Sequence, residues 1–234
     1  MPRDLTVLYV SASRVPAAWQ AYQIACLRAA IGDAPVISVT RAPLALGINL
    51  RDETPTPCYW NIYHAMLRAS RIAETPYVAM AEDDVLYTRE HFTEFRPPLD
   101  AVSFDRSRWS LFTWDPIYCL RQRVSNCSFI APRALLIGAL EEREAKWPQG
   151  APNSITGEVG RPIVARNLGV PCVPAVEWYS TSPIVHLNHP EGTDNPLEYQ
   201  RDARGHRMIK KHGQITAIEI PVWGKAVDLA AKFC

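Results

Sequence analysis

Short apolar runs alternate with helically spaced apolar residues along the first third of the chain. The runs from Leu5 to Val10, Pro35 to Val39 and Tyr77 to Ala81 are continuous, which is typical of strands buried on both faces. Apolar residues recur at helical spacing from Pro16 to Gly32 and from Tyr59 to Ala73. Because strands and helices alternate, we expect an α/β fold with a mostly parallel central sheet and helices on both faces.

The second half of the chain has a more mixed pattern. Val124 to Ala131 predicts a strand, and Pro132 opens a predicted helix with its leucines facing inward. A shorter helix is predicted from Glu158 to Leu168, and Val170 to Val176 predicts a strand interrupted by prolines. From His186 onward the sequence is polar and basic. This half therefore predicts more irregular structure than the first.

Size and composition favour one domain. The chain has 234 residues, of which 47% are hydrophobic, which is enough for one sizeable core. The 25 basic and 24 acidic residues leave a net charge of +1, so no global field points to nucleic acid or membrane as the partner, although a local basic patch stays open.

The cysteines and the apolar runs indicate a cytoplasmic protein. None of the six cysteines forms a Cys-x-x-Cys pair, so a cysteine zinc site is not expected, and free thiols suit a reducing compartment. No apolar run is long enough to span a bilayer. Asp4 and the short run after it do not fit a signal peptide.

Three consecutive acids follow the third predicted strand: Glu82, Asp83 and Asp84. In open α/β sheets, ligands bind beyond the carboxyl ends of the strands. Adjacent carboxylates repel one another unless a cation relieves them, and Mg²⁺ or Mn²⁺ takes oxygen ligands while leaving positions for substrate phosphates. The alternative is a solvated acidic turn before a helix.

An apolar strand that ends in Asp-x-Asp or a similar acid triplet resembles the GT-A nucleotide-sugar glycosyltransferases, particularly the family-2-like group. Two later features come in the same order: the acidic start Thr156 to Val159 of a short helix, and the strand Ser182 to His186 that ends in histidine. The resemblance extends over roughly residues 5 to 190. It implies one glycosyltransferase domain over residues 1–234, with the nucleotide-sugar-binding half at about 1–100 and the acceptor-binding half at about 101–234.

The resemblance implies a metal site that uses Mn²⁺ or Mg²⁺. Asp84 would hold the ion that bridges the diphosphate of a nucleotide diphosphate sugar, and His186 would be its second ligand. Glu82 would face the ribose of the donor or the waters of the metal, and Asp83 would belong to the same donor site. His189 is a second histidine candidate. A strand-end histidine that is hydrogen-bonded to backbone is the alternative for His186.

The resemblance also implies roles for four further residues. Glu158 would be the general base of an inverting reaction, although an acid at a helix N-terminus is also favoured by the helix dipole alone. Ser11 and Arg14 follow the first strand, where such proteins bind the nucleotide, and Asp52 lies in a loop suited to contact the base. Ordinary loop polarity is the alternative for these three.

A segment that combines aromatic and basic residues follows the acid triplet and would border the acceptor cleft. Aromatic faces stack on sugars and bases, and arginines bind phosphate. The alternative is that its tryptophans are core residues of a hairpin. The sequence leaves a glycan, a lipid-linked sugar, a protein and a modified DNA base open as acceptors. The segment contains Arg106, Arg108, Trp109, Trp114, Arg121 and Arg123.

Three alternatives compete with glycosyl transfer to a carbohydrate. A phage-type DNA glycosyltransferase acting on a hydroxymethylated base would be compatible with the Arg/Trp segment. A sugar nucleotidyltransferase would normally carry a glycine-rich loop and a lysine after the first strand, but the loop from Ser11 to Pro16 contains neither. A binding module without catalysis would leave the acid triplet unexplained.

Overall fold

The computed structural model describes residues 4–54, 58–121, 123–189, 199–201, 207–209 and 215–233. Most of the basic stretch that precedes Ile215 lies outside the described residues. A seven-stranded sheet forms the centre of the described part. Its strands are β1 (Leu5–Ser11), β2 (Val36–Thr40), β3 (Ile48–Arg51), β4 (Tyr77–Glu82), β6 (Val102–Asp105), β9 (Phe129–Pro132) and β10 (Ala175–Trp178).

The order of these strands creates a crevice at the carboxyl ends of β1 and β4. The sheet runs β10-β6-β9-β4-β1-β2-β3, and only β9 is antiparallel to its neighbours. The chain moves outward from β1 to β3 and then returns to β4 on the other side of β1. Ligands in open α/β sheets bind where the strand order reverses in this way. The predicted mostly parallel sheet is confirmed.

Helices cover both faces of this sheet, as predicted. α2 and α4 pack on one face, against Leu8 and Met80, and α1 packs on the other face through Leu27. Among the described residues, no helix has the length and apolar character needed to cross a bilayer. The helices are α1 (Ala17–Ile31), α2 (Tyr59–Ile72), α3 (Arg89–Thr93), α4 (Arg133–Lys146), α5 (Pro162–Leu168) and α6 (Ala226–Ala230).

A second sheet of five strands stands beside the first, and the sequence did not predict it. Its strands are arranged in the order β14-β8-β7-β11-β5. The strand β5, which comes first in the chain, begins directly after the acid triplet. One face packs against α1 and α6, through residues such as Leu111 and Val185. Its strands are β5 (Val85–Leu86), β7 (Arg108–Phe112), β8 (Asp115–Leu120), β11 (Ile184–Asn188) and β14 (Thr216–Ala217).

Two small hairpins complete the described strands: β12 (Tyr199–Arg201) with β13 (Arg207–Ile209), and β15 (Glu219–Ile220) with β16 (Gly224–Lys225).

Three predicted element boundaries are wrong. The strand predicted from Val124 begins at Phe129, after a single 3₁₀ turn, and the strand predicted from Val170 begins at Ala175. The helix predicted to begin at Glu158 begins at Pro162. Gly160 explains the last error, because its φ of +91° lies in the left-handed region and cannot continue a helix.

Candidate active site

Glu82, Asp83 and Asp84, which we call the acid turn, lie at the point where the strand order reverses. Val10 of β1 is paired with Glu82 of β4, so the end of β1 lies beside the acid turn. The Ser11 hydroxyl donates a hydrogen bond to Oδ2 of Asp83. The structure therefore brings the predicted nucleotide-site residue Ser11 into direct contact with the acids.

The backbone of the acid turn is held by buried polar side chains that the sequence analysis missed. The indole of Trp19 donates to the carbonyl of Asp83 at 2.8 Å. The Gln23 amide donates to the carbonyls of Glu82 and Val85, at 3.1 and 2.9 Å. Trp19 and Gln23 are four residues apart and hence on one face of α1. That spacing was the available signal, but the prediction used only the apolar periodicity of the helix.

Asp84 is the acid that contacts histidine. Its Oδ2 lies 3.1 Å from Nε2 of His186 and 4.0 Å from Nε2 of His189. Burial raises the pKa of Asp84, but the charge and hydrogen bond of His186 and the charge of His189 outweigh it, so this pKa is below its usual value. Asp84 Oδ1 is buried and has no hydrogen-bond partner among the described residues.

The other two acids have raised pKa values. Burial, followed by the charges of Asp84 and Asp83, raises the pKa of Glu82 well above its usual value, and Arg108 opposes this rise. Burial and the charge of Asp84 raise the pKa of Asp83 to about 7, with the Ser11 hydrogen bond opposing. All three acids keep partial solvent exposure, which tempers these shifts. The acid turn is therefore an electrostatically strained group that a cation would stabilise.

The site fits a divalent ion that takes some of its ligands from the protein and the others from a bound substrate. Among the described residues, no cluster of three or more His, Cys, Asp or Glu side chains is arranged to hold a metal by itself. Asp84 and His186 offer one carboxylate and one imidazole, and none of the residues that the structure describes forms a hydrogen bond with Oδ1 of Asp84. Mg²⁺ is usually bound through one or two carboxylates together with substrate phosphates. The residues present match that type of site.

The predicted aromatic and basic segment divides between the two faces of the second sheet. Ser110 is the cross-strand neighbour of His186, and Arg121 Nε donates to the Ser110 hydroxyl at 3.1 Å. Trp109 is one position away and therefore points to the opposite face, where its ring meets Tyr118 at 6.4 Å. The interpretation of Trp109 as a residue of the hairpin core fits this position, whereas Arg121 lies on the face of His186.

Glu158 lies in the loop before α5. Its carboxylate accepts a hydrogen bond from Arg161 at 2.9 Å, and its side chain is 16% exposed. Its charge contributes to the raised pKa of Glu82 and of Tyr63, so it lies within electrostatic range of both. The loop packs beside β6, since a Cβ at Gly160 would lie 2.7 Å from Val102, and β6 and β1 are on different sides of β4 in the sheet.

The remaining predicted residues follow the carboxyl edge of the parallel strands. The charge of Arg14 lowers the pKa of Asp83, so Arg14 belongs to the same group. Asp52 follows β3, two strands from Ser11, or about 10 Å along the sheet edge. Its Oδ1 accepts hydrogen bonds from the amide and hydroxyl of Thr54, at 3.1 and 2.7 Å. Asp52 thus lies on the same edge but outside the acid turn.

Neither the known protein-family models nor the curated proteins include a match to this chain. Among solved structures, the chain is similar to a mannosyltransferase from Pyrobaculum calidifontis in complex with GDP-Man and Mn²⁺, with 13% identity, a TM-score of 0.43, and coverage of 81% of this chain and 58% of that one.

Two further similar structures are the bifunctional IspDF from Campylobacter jejuni and Staphylococcus aureus TarS 1-349 in complex with UDP-GlcNAc. They have 9% identity each, TM-scores of 0.43 and 0.44, and coverage of 76% and 81% of this chain. The chain spans 50% and 60% of their lengths.

Proposed function

We propose that this protein is a metal-dependent glycosyltransferase, which transfers a sugar from a nucleotide diphosphate sugar to a hydroxyl group of a carbohydrate acceptor. One observation carries the proposal. Asp84, at the crevice between β1 and β4, contacts His186 and keeps a buried carboxylate oxygen that has no hydrogen-bond partner in the described part of the chain. A divalent ion between this carboxylate and a diphosphate would give that oxygen its partner.

The donor would lie along the carboxyl edge of the parallel strands. Asp84 and His186 would hold Mn²⁺ or Mg²⁺, which neutralises charge on the leaving diphosphate. Asp83 and Glu82 would complete the polar wall of the donor site. The nucleoside would extend past Ser11 and Arg14, and Asp52, farther along the same edge, would contact the base. Residues 1–100 would thus form the donor half, and residues 101–234 the acceptor half.

The chemistry at the acceptor would use Glu158 as general base. The acceptor oxygen attacks the anomeric carbon, its proton passes to the Glu158 carboxylate, and the bond to the diphosphate breaks with its electron pair on the departing nucleotide. One displacement inverts the anomeric configuration. In the structure, Arg161 donates a hydrogen bond to the Glu158 carboxylate. A hydrogen bond from the acceptor hydroxyl must replace it before Glu158 can act as the base.

The decisive experiment measures donor turnover in the Asp84→Asn variant. With a panel of nucleotide sugars and Mn²⁺, wild-type protein should release a nucleoside diphosphate. We expect Asp84→Asn to lose about 100-fold or more of this activity, because the charge that holds the ion is gone. Glu142→Gln, an exposed acid on α4, is the matched control and should keep full activity. Unchanged turnover in Asp84→Asn would exclude the metal assignment. Release of pyrophosphate from a nucleoside triphosphate supplied together with a sugar 1-phosphate would indicate nucleotidyl transfer instead.

A second experiment tests the inverting mechanism. The anomeric configuration of the product, measured by NMR, should be opposite to that of the donor. Glu158→Gln should lower kcat by about 10²- to 10⁴-fold, as expected for loss of a general base, and should leave donor binding nearly unchanged. A retained configuration would contradict the role of Glu158.

A further inference from the structure

We propose that Arg143 is a positioning residue, which fixes the loop that carries Glu158 through its backbone. The proposal rests on the proposed function, since it concerns the placement of the general base. Arg143 lies on α4 and is only 3% exposed. It is too deep to contact a substrate, and its guanidinium is directed at the loop instead.

The guanidinium binds two successive backbone carbonyls of the loop. Nη1 donates to the carbonyl of Gly157 at 2.7 Å, and Nη2 donates to the carbonyl of Glu158 at 3.3 Å. The same group lies 5.1 Å from the ring centroid of Tyr63 on α2. The phenol of Tyr63 in turn accepts a hydrogen bond from Asn126 at 2.9 Å. Arg143 therefore connects the loop to two helices and to the turn before β9.

The loop around Glu158 is packed closely enough to transmit this constraint. Val159 is 2% exposed and lies in the core beneath the sheet. A Cβ at Gly157 would lie 2.7 Å from Val164, and one at Gly160 would lie 2.7 Å from Val102. The backbone on both sides of Glu158 thus has little space to shift. Arg143 binds the backbone between these two glycines, which is the part of the loop that carries the Glu158 side chain.

Arginine is required for this geometry. Its planar guanidinium presents donors to two carbonyls at once, whereas a lysine ammonium is a single point of charge. Removal of the group would leave the Gly157 carbonyl without this donor and the Glu158 carbonyl with only the amide of Arg161, at 3.4 Å, so the short stretch between the two packed glycines would relax. A general base works only within hydrogen-bond reach of its proton, so a shift of about 1 Å costs up to about 100-fold in rate.

A double-mutant cycle between Arg143 and Glu158 tests the proposal. The variants are Arg143→Met, Glu158→Gln and the double variant, with kcat, donor KM and melting temperature measured for each. We expect Arg143→Met to lower kcat by about 10- to 100-fold with less than a twofold change in donor KM. In the Glu158→Gln background the same substitution should have almost no further effect, because the base it positions is absent.

Two further variants separate positioning from stability. Arg133→Met, on the same helix, removes a guanidinium bond to the carbonyl of Thr75 at the far end of β4 and should lower the melting temperature without lowering kcat. Arg143→Lys keeps the charge and folding, and should recover only part of kcat. If Arg143→Met lowers kcat by the same factor in the wild-type and in the Glu158→Gln background, Arg143 does not act through Glu158. That result would overturn the positioning role of Arg143 and leave the role of Glu158 intact. Full transfer by Glu158→Gln would overturn the base itself and therefore the positioning with it.

Discussion

Asp84 has two carboxylate oxygens in unlike surroundings. Oδ2 faces Nε2 of His186 at 3.1 Å, while Oδ1 is buried and without a hydrogen-bond partner among the described residues. The backbone of the same residue is fixed, since its carbonyl accepts from the amide of Leu187 at 2.8 Å. An orphaned carboxylate oxygen costs free energy that a bound cation recovers. The unpaired oxygen of Asp84 therefore lowers the free energy of unfolding at the position where we expect the metal ion to bind.

The two histidines near Asp84 should behave differently on substitution. His186→Ala removes the imidazole in hydrogen-bond contact with Asp84. It should weaken nucleotide diphosphate binding about tenfold or more with Mn²⁺ present, and change it little in EDTA. His189 is 4.0 Å away and its ring packs against Phe233 at a centroid distance of 4.8 Å. His189→Ala should therefore lower the melting temperature more than the metal-dependent affinity.

Calorimetric titration of a nucleoside diphosphate, with and without Mn²⁺, measures this difference. His64→Ala is the control, because this histidine pairs with Glu144 away from the acid turn. Equal weakening by His186→Ala in Mn²⁺ and in EDTA would mark His186 as a structural histidine.

At the scale of elements, α1 acts as the support of the acid turn. Trp19 and Gln23 are fully buried, and between them they bind three of the four backbone carbonyls from residue 82 to residue 85: those of Glu82, Asp83 and Val85. Gln23 also accepts a hydrogen bond from the phenol of Tyr9 on β1, at 3.3 Å. The helix therefore sets the direction in which the three carboxylates leave the sheet.

Gln23→Leu should weaken both the fold and the metal site. Leucine has a side-chain volume similar to that of glutamine but cannot donate to the carbonyls of Glu82 and Val85. The substitution therefore leaves two buried carbonyls without this donor. We expect a loss of about 1–3 kcal/mol in the free energy of unfolding and weaker Mn²⁺-dependent nucleotide binding. Gln20→Leu, on a partly exposed position of the same helix, should change neither by a comparable amount. Denaturant unfolding and calorimetry measure the two effects, and unaltered nucleotide affinity in Gln23→Leu would show that α1 supports only the fold.

The elements that the sequence predicted are those that local patterns determine. The strands β1, β2 and β4 and the helices α1, α2 and α4 follow from apolar runs and from proline and glycine at helix ends, and the acid turn follows from its own sequence. The parallel strands β3 and β6 were not predicted. Nor was the second sheet, because its pairing joins distant segments: His186 and Asp84 are 102 residues apart. The supporting face of α1 was missed because it contains the buried polar residue Gln23, which apolar periodicity does not detect.

At the scale of the whole molecule, a buried contact between Asp105 and His91 links the two sheets. Asp105, at the end of β6, lies 3.0 Å from Nδ1 of His91 on α3, and both side chains are fully buried. Its other oxygen accepts from the amides of Ser107 and Ser180, at 2.9 and 3.1 Å. These two serines belong to the segments that lead into β7 and β11 of the second sheet. Asp105 therefore fixes how the strands leave the first sheet to build the wall that carries His186.

This linkage predicts how the protein responds to acid. Burial raises the pKa of Asp105, but the hydrogen bond and charge of His91 and the Ser180 amide outweigh it, so its pKa in the folded state is lowered. A carboxyl with a lowered folded-state pKa contributes stability above its unfolded pKa of about 4. That stability is lost as the pH falls through the folded-state value, because the unfolded state then binds more protons. We expect Asp105→Asn to destabilise the protein by about 3 kcal/mol at pH 7, as for a broken buried pair.

The same substitution should lose its effect in acid, and a second carboxylate serves as its control. Asp4 also has a lowered pKa, first because of its hydrogen bond to Arg96, but its side chain is 42% exposed. Exposed pairs contribute at most about 1 kcal/mol, so Asp4→Asn should have a small effect at pH 7. Unfolding by urea from pH 7 to pH 3 measures both variants. The difference between wild type and Asp105→Asn should shrink below about pH 4. A difference that stays constant across this range would mean that the packing of Asp105, and not its charge, joins the two sheets.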